Sequence, residues 1–187
     1  MANALTFLRI LLVPVFAVAL LAGGGHSVGW RLVATGIFVV AALTDRLDGY
    51  LARRSGTVTD LGKLLDPIAD KLLMGTALVL LSVLDELAWW VTVVILVREL
   101  GITLLRLALL RYTVLPASRG GKLKTVLQSV AIGLYLLPLA AMPSWIGVVA
   151  GAIMGLAVAV TLVTGVDYVR QAAVIRRTGA APAQPVA

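Results

Sequence analysis

The sequence predicts an all-α, polytopic membrane protein of six transmembrane helices, and three observations carry that expectation. Hydrophobic residues fill 60% of the 187 positions and charged residues only 13%, about half the charge of an ordinary soluble domain. Six apolar stretches approach the roughly 20 residues that a hydrocarbon core about 30 Å thick demands of a helix. No stretch alternates polar and apolar residues as a membrane strand does, so helices must satisfy the backbone.

In order, the expected spans are roughly Ala4–Ala22, Arg31–Arg53, Leu61–Leu84, Leu87–Arg111, Leu123–Ala141 and Trp145–Val169. Turn chemistry separates them: Gly23-Gly24-Gly25, Ser55-Gly56, Ser118 to Gly121, and Pro143-Ser144. The first span carries Ala17-Val18-Ala19, which mimics a signal-peptide cleavage site. A positively charged leader is missing, with Arg9 the only basic residue there, so the stretch is read as a span. Residues 1–175 form one membrane domain, and the Ala- and Pro-rich residues 176–187 are expected to be a disordered tail.

The 16 basic and 9 acidic residues give a net charge of +7. In a lipid-embedded chain this charge bears on orientation rather than on nucleic acid, and no nucleic-acid partner is expected. With the N-terminus in the cytoplasm, the inner ends collect Arg46, Arg53, Arg54, Lys63, Arg106, Arg111, Arg119, Lys122, Lys124, Arg170, Arg176 and Arg177. The outer turns receive only Arg31, with Asp85 and Glu86. Both termini are therefore expected in the cytoplasm. Trp30, Trp89, Trp90 and Trp145 fall at outer ends, as an interfacial aromatic belt does.

The chain has no cysteine and one histidine, His26. Disulfides, thiolate ligands, a cysteine nucleophile and a histidine-based zinc site are thereby excluded, and any metal must take oxygen ligands.

Five acidic residues lie between Asp45 and Asp70, in a setting where each is costly. Asp45, Asp48, Gly49, Ala52 and Arg53 share one face of the second helix, and Gly62, Asp66 and Asp70 one face of the third. The short connection makes these helices antiparallel neighbours whose acidic faces can meet near the cytoplasm. Carboxylates at 4 Å repel by ~4 kcal/mol per pair at an effective dielectric of 20, so cations or protons must accompany the cluster. Carboxylate oxygens suit magnesium, manganese or calcium, and two such ions about 4 Å apart can clamp a phosphoryl group. The plain alternative, pairing with Arg46, Arg53, Arg54, Lys63 and Lys71 at the membrane surface, does not call for two matched carboxylate pairs with glycines on the same faces. Pro67 removes a hydrogen bond within the third helix and is expected to bend it.

The run Asp45-Arg-Leu-Asp48-Gly49-Tyr-Leu-Ala52-Arg53, eight residues, then Gly62-Lys-Leu-Leu-Asp66-Pro-Ile-Ala-Asp70 resembles the signature of the CDP-alcohol phosphatidyltransferases at every position and gap. The resemblance implies that Asp45, Asp48, Asp66 and Asp70 bind two divalent ions, Mg2+ or Mn2+, and that Asp70 is the general base. It further implies that Asp48, Gly49, Ala52 and Arg53 bind the CDP moiety: small residues allow close approach, and the arginine fork suits phosphate.

Outer motifs resemble the bacterial phosphatidylglycerophosphate synthase branch of that family: Asn3-Ala-Leu-Thr6-Phe-Leu-Arg9, Leu65 to Lys71, Val97-Arg98-Glu99, and Gly121-Lys122-Leu-Lys124-Thr125. They imply CDP-diacylglycerol as donor and glycerol 3-phosphate as acceptor, a bacterial inner-membrane location among lipids, and a homodimer. An anionic acceptor needs cations, and Arg98, Lys122, Lys124, Arg119 and Arg9 are the candidates. Each has a second reading. Arg98 serves a site or an interhelical pair, although Glu99 points about 100° away and adjacency alone does not join them. Lys122, Lys124 and Arg119 bind phosphate or mark the cytoplasmic side. Arg9 closes the site or snorkels to headgroups.

Two alternatives keep the chemistry and change the acceptor: phosphatidylglycerol, as in a cardiolipin synthase, or inositol phosphate, as in a phosphatidylinositol phosphate synthase. A divalent-cation transporter is the alternative of another class. Transporters pair repeats and place sites near the midplane, whereas this carboxylate pattern occurs once and toward one face.

Overall fold

The computed structural model describes residues 2–55, 60–109 and 119–178, and the side chains of residues 7–44, 69, 71–105, 121 and 123–175. Every regular element in it is helical. The six α-helices are α1 (Ala2–Leu21), α2 (Val28–Ser55), α3 (Asp60–Val83), α4 (Trp89–Leu109), α5 (Arg119–Leu136) and α6 (Ser144–Thr178). Short 3-10 turns follow α1 (Ala22–Gly25) and α5 (Leu139–Ala141).

The helices match the expected spans in number and order, and the differences lie at their ends. α5 stops at Leu136 rather than reaching Ala141, because Pro138 cannot continue the helical ladder. α6 runs past Val169 to Thr178, so residues 176–178 of the expected tail are helical; residues 179–187 lie outside the described residues. α3 is one continuous helix through Pro67.

The turn after α1 is built by Gly23, Gly24 and Gly25, at φ of 63°, 71° and 79°. Only glycine takes that conformation without a penalty. Gly25 also lies against Leu84, where an added Cβ would come within 2.3 Å of a leucine methyl. α3 ends in a Schellman motif. The Asp85 amide donates to Ser82 O at 3.2 Å and the Glu86 amide to Leu81 O at 3.0 Å, with Asp85 at φ 57° in the left-handed cap position.

The main apolar core runs through the bundle. Phe16 of α1 meets Phe38 of α2 with ring centroids 6.0 Å apart. Leu73, Leu78 and Leu81 of α3, Ile95 of α4, Ile132 and Leu136 of α5, and Met154 of α6 complete it. Among the described residues α1 packs on both α2 and α3, and α6 packs on α4 and α5. The outer surface is apolar as well: Leu11, Val18, Val97, Leu104, Val148 and Val163 are all exposed. The stretches Phe7–Gly25 and Ser144–Ile175 are long and apolar enough to cross a membrane, and Val28–Thr44, Lys71–Val83 and Leu123–Leu136 are shorter apolar helices.

A polar clasp closes one end. Arg31, at the start of α2, pairs with Glu86 in the α3–α4 turn. The same guanidinium donates to Leu136 O at 3.3 Å and to Tyr135 O at 3.1 Å, at the end of α5. Three elements distant in sequence are thus pinned to one level, which fixes the up-and-down order of α2, α3, α4 and α5.

Candidate active site

The opposite end carries the signature. Asp45, Asp48, Gly49, Ala52 and Arg53 occupy the last turns of α2, and Gly62, Asp66 and Asp70 the first turns of α3. Only residues 56–59 separate the two helices, so their ends lie within about 20 Å. Helical register puts Asp45, Asp48 and Ala52 on one face, and Gly62, Asp66 and Asp70 on another. The side chains of these residues, and of Lys122 and Arg119, lie outside those described.

Four other acidic residues have described side chains. Glu86 belongs to the clasp and Glu99 to an interhelical network, while Asp85 and Asp167 are exposed. Among the described residues no group of three or more His, Cys, Asp or Glu is placed to hold a metal ion. The carboxylates that the sequence places at the ends of α2 and α3 are an all-oxygen donor set, which suits a hard divalent ion.

Beside this end lies a cavity of about 90 Å³ between α3, α4 and α5. Its floor is apolar, formed by residues such as Leu78, Ile95 and Leu96, and its polar wall carries Lys71, Glu99, Lys124, Thr125 and Gln128. Lys71 directly follows Asp70 on α3. Its ammonium donates to Thr103 Oγ1 on α4, and Thr103 Oγ1 donates to the Glu99 carbonyl at 2.7 Å. On α5 the Lys124 side chain, 5% exposed, pairs with Glu99.

Of the acceptor candidates with described side chains, only Lys124 lines this cavity. Arg98 turns to α6 instead. Its Nη1 donates to Glu99 Oε1 at 3.1 Å, its Nη2 donates to Thr164 Oγ1 at 2.8 Å, and its guanidinium lies 5.8 Å from the centre of the Tyr168 ring. Arg98 and Glu99 thus pair, which adjacency alone did not imply. Long side chains bridge the angle between neighbouring helix positions when both reach into the same interhelical gap. Gly165 leaves that gap open, because a Cβ there would meet Arg98 Cγ at 3.3 Å. Arg9 is 1% exposed on α1, so its guanidinium is buried in the bundle rather than snorkelling outward.

Lys71 and Glu99 were not distinguished by sequence pattern as site residues. The available signals were weak: Lys71 adjoins Asp70, and Glu99 is the one acidic residue of α4.

Comparison with known proteins places this arrangement. The family model for CDP-alcohol phosphatidyltransferase matches residues 1–163. A probable phosphatidylglycerophosphate synthase of Mycobacterium tuberculosis is 55% identical over 172 residues, covering 92% of this chain and 81% of that protein. The CDP-diacylglycerol--glycerol-3-phosphate 3-phosphatidyltransferase of Bacillus subtilis is 40% identical over 145 residues, covering 72% of this chain and 75% of its own. The enzyme of the same name from Rickettsia felis is 37% identical over 169 residues, covering 89% and 91%. With the family model spanning most of its length and the signature standing on α2 and α3, the chain belongs to the CDP-alcohol phosphatidyltransferase family of enzymes.

Proposed function

We propose that the protein transfers the phosphatidyl group of CDP-diacylglycerol to glycerol 3-phosphate, releasing phosphatidylglycerophosphate and CMP. The names of its relatives support the donor and the acceptor. The observation that carries the acceptor is the cavity whose wall holds Lys71, directly after Asp70, together with Lys124. An anionic three-carbon alcohol needs cationic residues beside the group that takes its proton.

The exposed apolar surface and the apolar helices support a multi-pass membrane protein, and we read the six helices as its six spans. The basic residues at the signature end support a cytoplasmic location in a bacterial cell for that end and for both termini. Donor lipid then reaches the site sideways from the bilayer and acceptor arrives from water.

The family is divalent-metal dependent, and Asp45, Asp48, Asp66 and Asp70 would hold the ions, two of Mg2+ or Mn2+. When bound, they neutralise the diphosphate and the departing phosphate. The chain's own residues do the rest. Gly49 and Ala52 leave room for the nucleotide on α2, and Arg53 directs its fork to the diphosphate. Asp70 takes the proton from the acceptor hydroxyl. The freed oxygen attacks the β-phosphorus, the bond to the bridging oxygen breaks, and CMP departs. Lys71 and Lys124 hold the acceptor phosphate, with Lys122 and Arg119 at the cytoplasmic start of α5. The functional unit is a homodimer.

The test is CMP release by purified protein in detergent with CDP-diacylglycerol and magnesium, each acceptor being offered separately. Release that needs glycerol 3-phosphate supports the reading. Release only with phosphatidylglycerol or inositol phosphate assigns a different acceptor to the same chemistry.

A further inference from the structure

We propose that Glu99 is the positioning residue of the acceptor cavity, acting through Lys124 to place the cation that meets the acceptor phosphate. The inference rests on the acceptor reading above and assigns a role to a carboxylate that the transfer chemistry does not use.

Among the described residues the cavity wall holds two lysines and one carboxylate, a lining that suits an anion. Lys124 is almost completely enclosed, and an enclosed ammonium without a counter-charge would be expelled or neutralised. Glu99 supplies that counter-charge by direct ion pairing.

Glu99 and Thr103 stand one helical turn apart on α4 and so share a face. Glu99 holds Lys124 of α5, and Thr103 holds Lys71 of α3. The Thr103 hydroxyl in turn donates to the Glu99 carbonyl. One turn of α4 thus sets the separation of the two cavity cations, each carried by a different helix. Arg98 braces this turn from behind, joining Glu99 to Thr164 of α6.

Two effects of Glu99 oppose each other, which makes the idea decidable. Removing its charge makes the cavity more positive, and electrostatics alone would tighten acceptor binding. Removing its hold on Lys124 takes away one of the contacts that place that ammonium on the wall, which weakens binding. The proposal states that placement wins.

The experiment compares wild type, Glu99→Gln, Glu99→Asp, Lys124→Met and the double variant Glu99→Gln/Lys124→Met in detergent. KM is measured for glycerol 3-phosphate and for CDP-diacylglycerol, together with the rise in melting temperature that glycerol 3-phosphate alone produces. Glu99→Gln is expected to raise the glycerol 3-phosphate KM about tenfold, to leave the donor KM within twofold, and to lose most of the acceptor-induced rise. Glu99→Asp keeps the charge on a shorter arm and should fall between. The double variant should be no worse than Lys124→Met, since a residue acting through another adds nothing once that partner is gone. A lower acceptor KM in Glu99→Gln, or an unchanged one with a reduced melting temperature, overturns the proposal. So does a double variant that loses the product of both single effects. Where Glu99→Gln does not fold, Glu99→Asp and its coupling to Lys124→Met give the same decision. Wild-type protein that releases no CMP with glycerol 3-phosphate would instead overturn the acceptor reading itself.

Discussion

Arg31 and Glu86 form an ion pair that joins the start of α2 to the α3–α4 turn, at the end of the bundle away from the signature. Arg31 is 3% exposed, and it also serves the last carbonyls of α5. Breaking an enclosed pair by removing one partner leaves the other charge stranded. Glu86→Gln should therefore lower stability by about 2–3 kcal/mol. Arg31→Met should cost more, because it also strands the Tyr135 and Leu136 carbonyls. Thermal unfolding in detergent checks the order. Neither change should alter turnover per folded molecule, since the clasp and the signature stand at opposite ends.

The glycine turn gives a second graded test. Gly24 and Gly25 both have positive φ, but an added Cβ meets nothing within 4 Å at Gly24 and collides with Leu84 at Gly25. Gly24→Ala should cost only the backbone penalty, about 1–2 kcal/mol. Gly25→Ala should cost distinctly more, as Leu84 must move out of the core edge. Equal melting temperatures for the two variants would contradict this packing.

Arg98 should reveal itself as a tie between α4 and α6. Arg98→Lys keeps the cation but cannot span Glu99, Thr164 and Tyr168 together, and should destabilise by about 1–3 kcal/mol. Thr164→Ala removes one acceptor and should cost about 1 kcal/mol. The two effects should be less than additive when combined, because they break the same contact. Full additivity in a double-mutant cycle would contradict it.

The signature aspartates make the strongest demand on chemistry. Asp66→Asn and Asp70→Asn should each remove nearly all transfer activity while the protein still elutes as a folded species. A chelator should abolish wild-type activity, and added Mg2+ or Mn2+ should restore it. Wild-type turnover in either purified variant would overturn the assignment of these residues.

How far sequence carries the account differs by region. The six helices were legible as long apolar runs, and the three glycines marked their turn because glycine takes that backbone conformation without a penalty. The signature was legible because α2 and α3 are consecutive, so local spacing already sets which residues share a face. The cavity was not legible. Its wall joins Lys71 to Thr103 and Lys124 to Glu99, and Arg98 finds Thr164 on the last helix. Those pairings depend on which faces of separate helices meet, and periodicity along one helix does not encode that. Asp85 in the cap position was equally hidden, since glycine is the usual marker of a left-handed helix end. The early stop of α5 lay in plain view at Pro138, but the apolar run beyond it masked the break.

The most direct test is acceptor-dependent CMP release from CDP-diacylglycerol by the purified protein with magnesium, measured in parallel with glycerol 3-phosphate, inositol phosphate and phosphatidylglycerol. Release is expected with glycerol 3-phosphate alone, abolished by chelator and by Asp70→Asn. Release with another acceptor and none with glycerol 3-phosphate would contradict it.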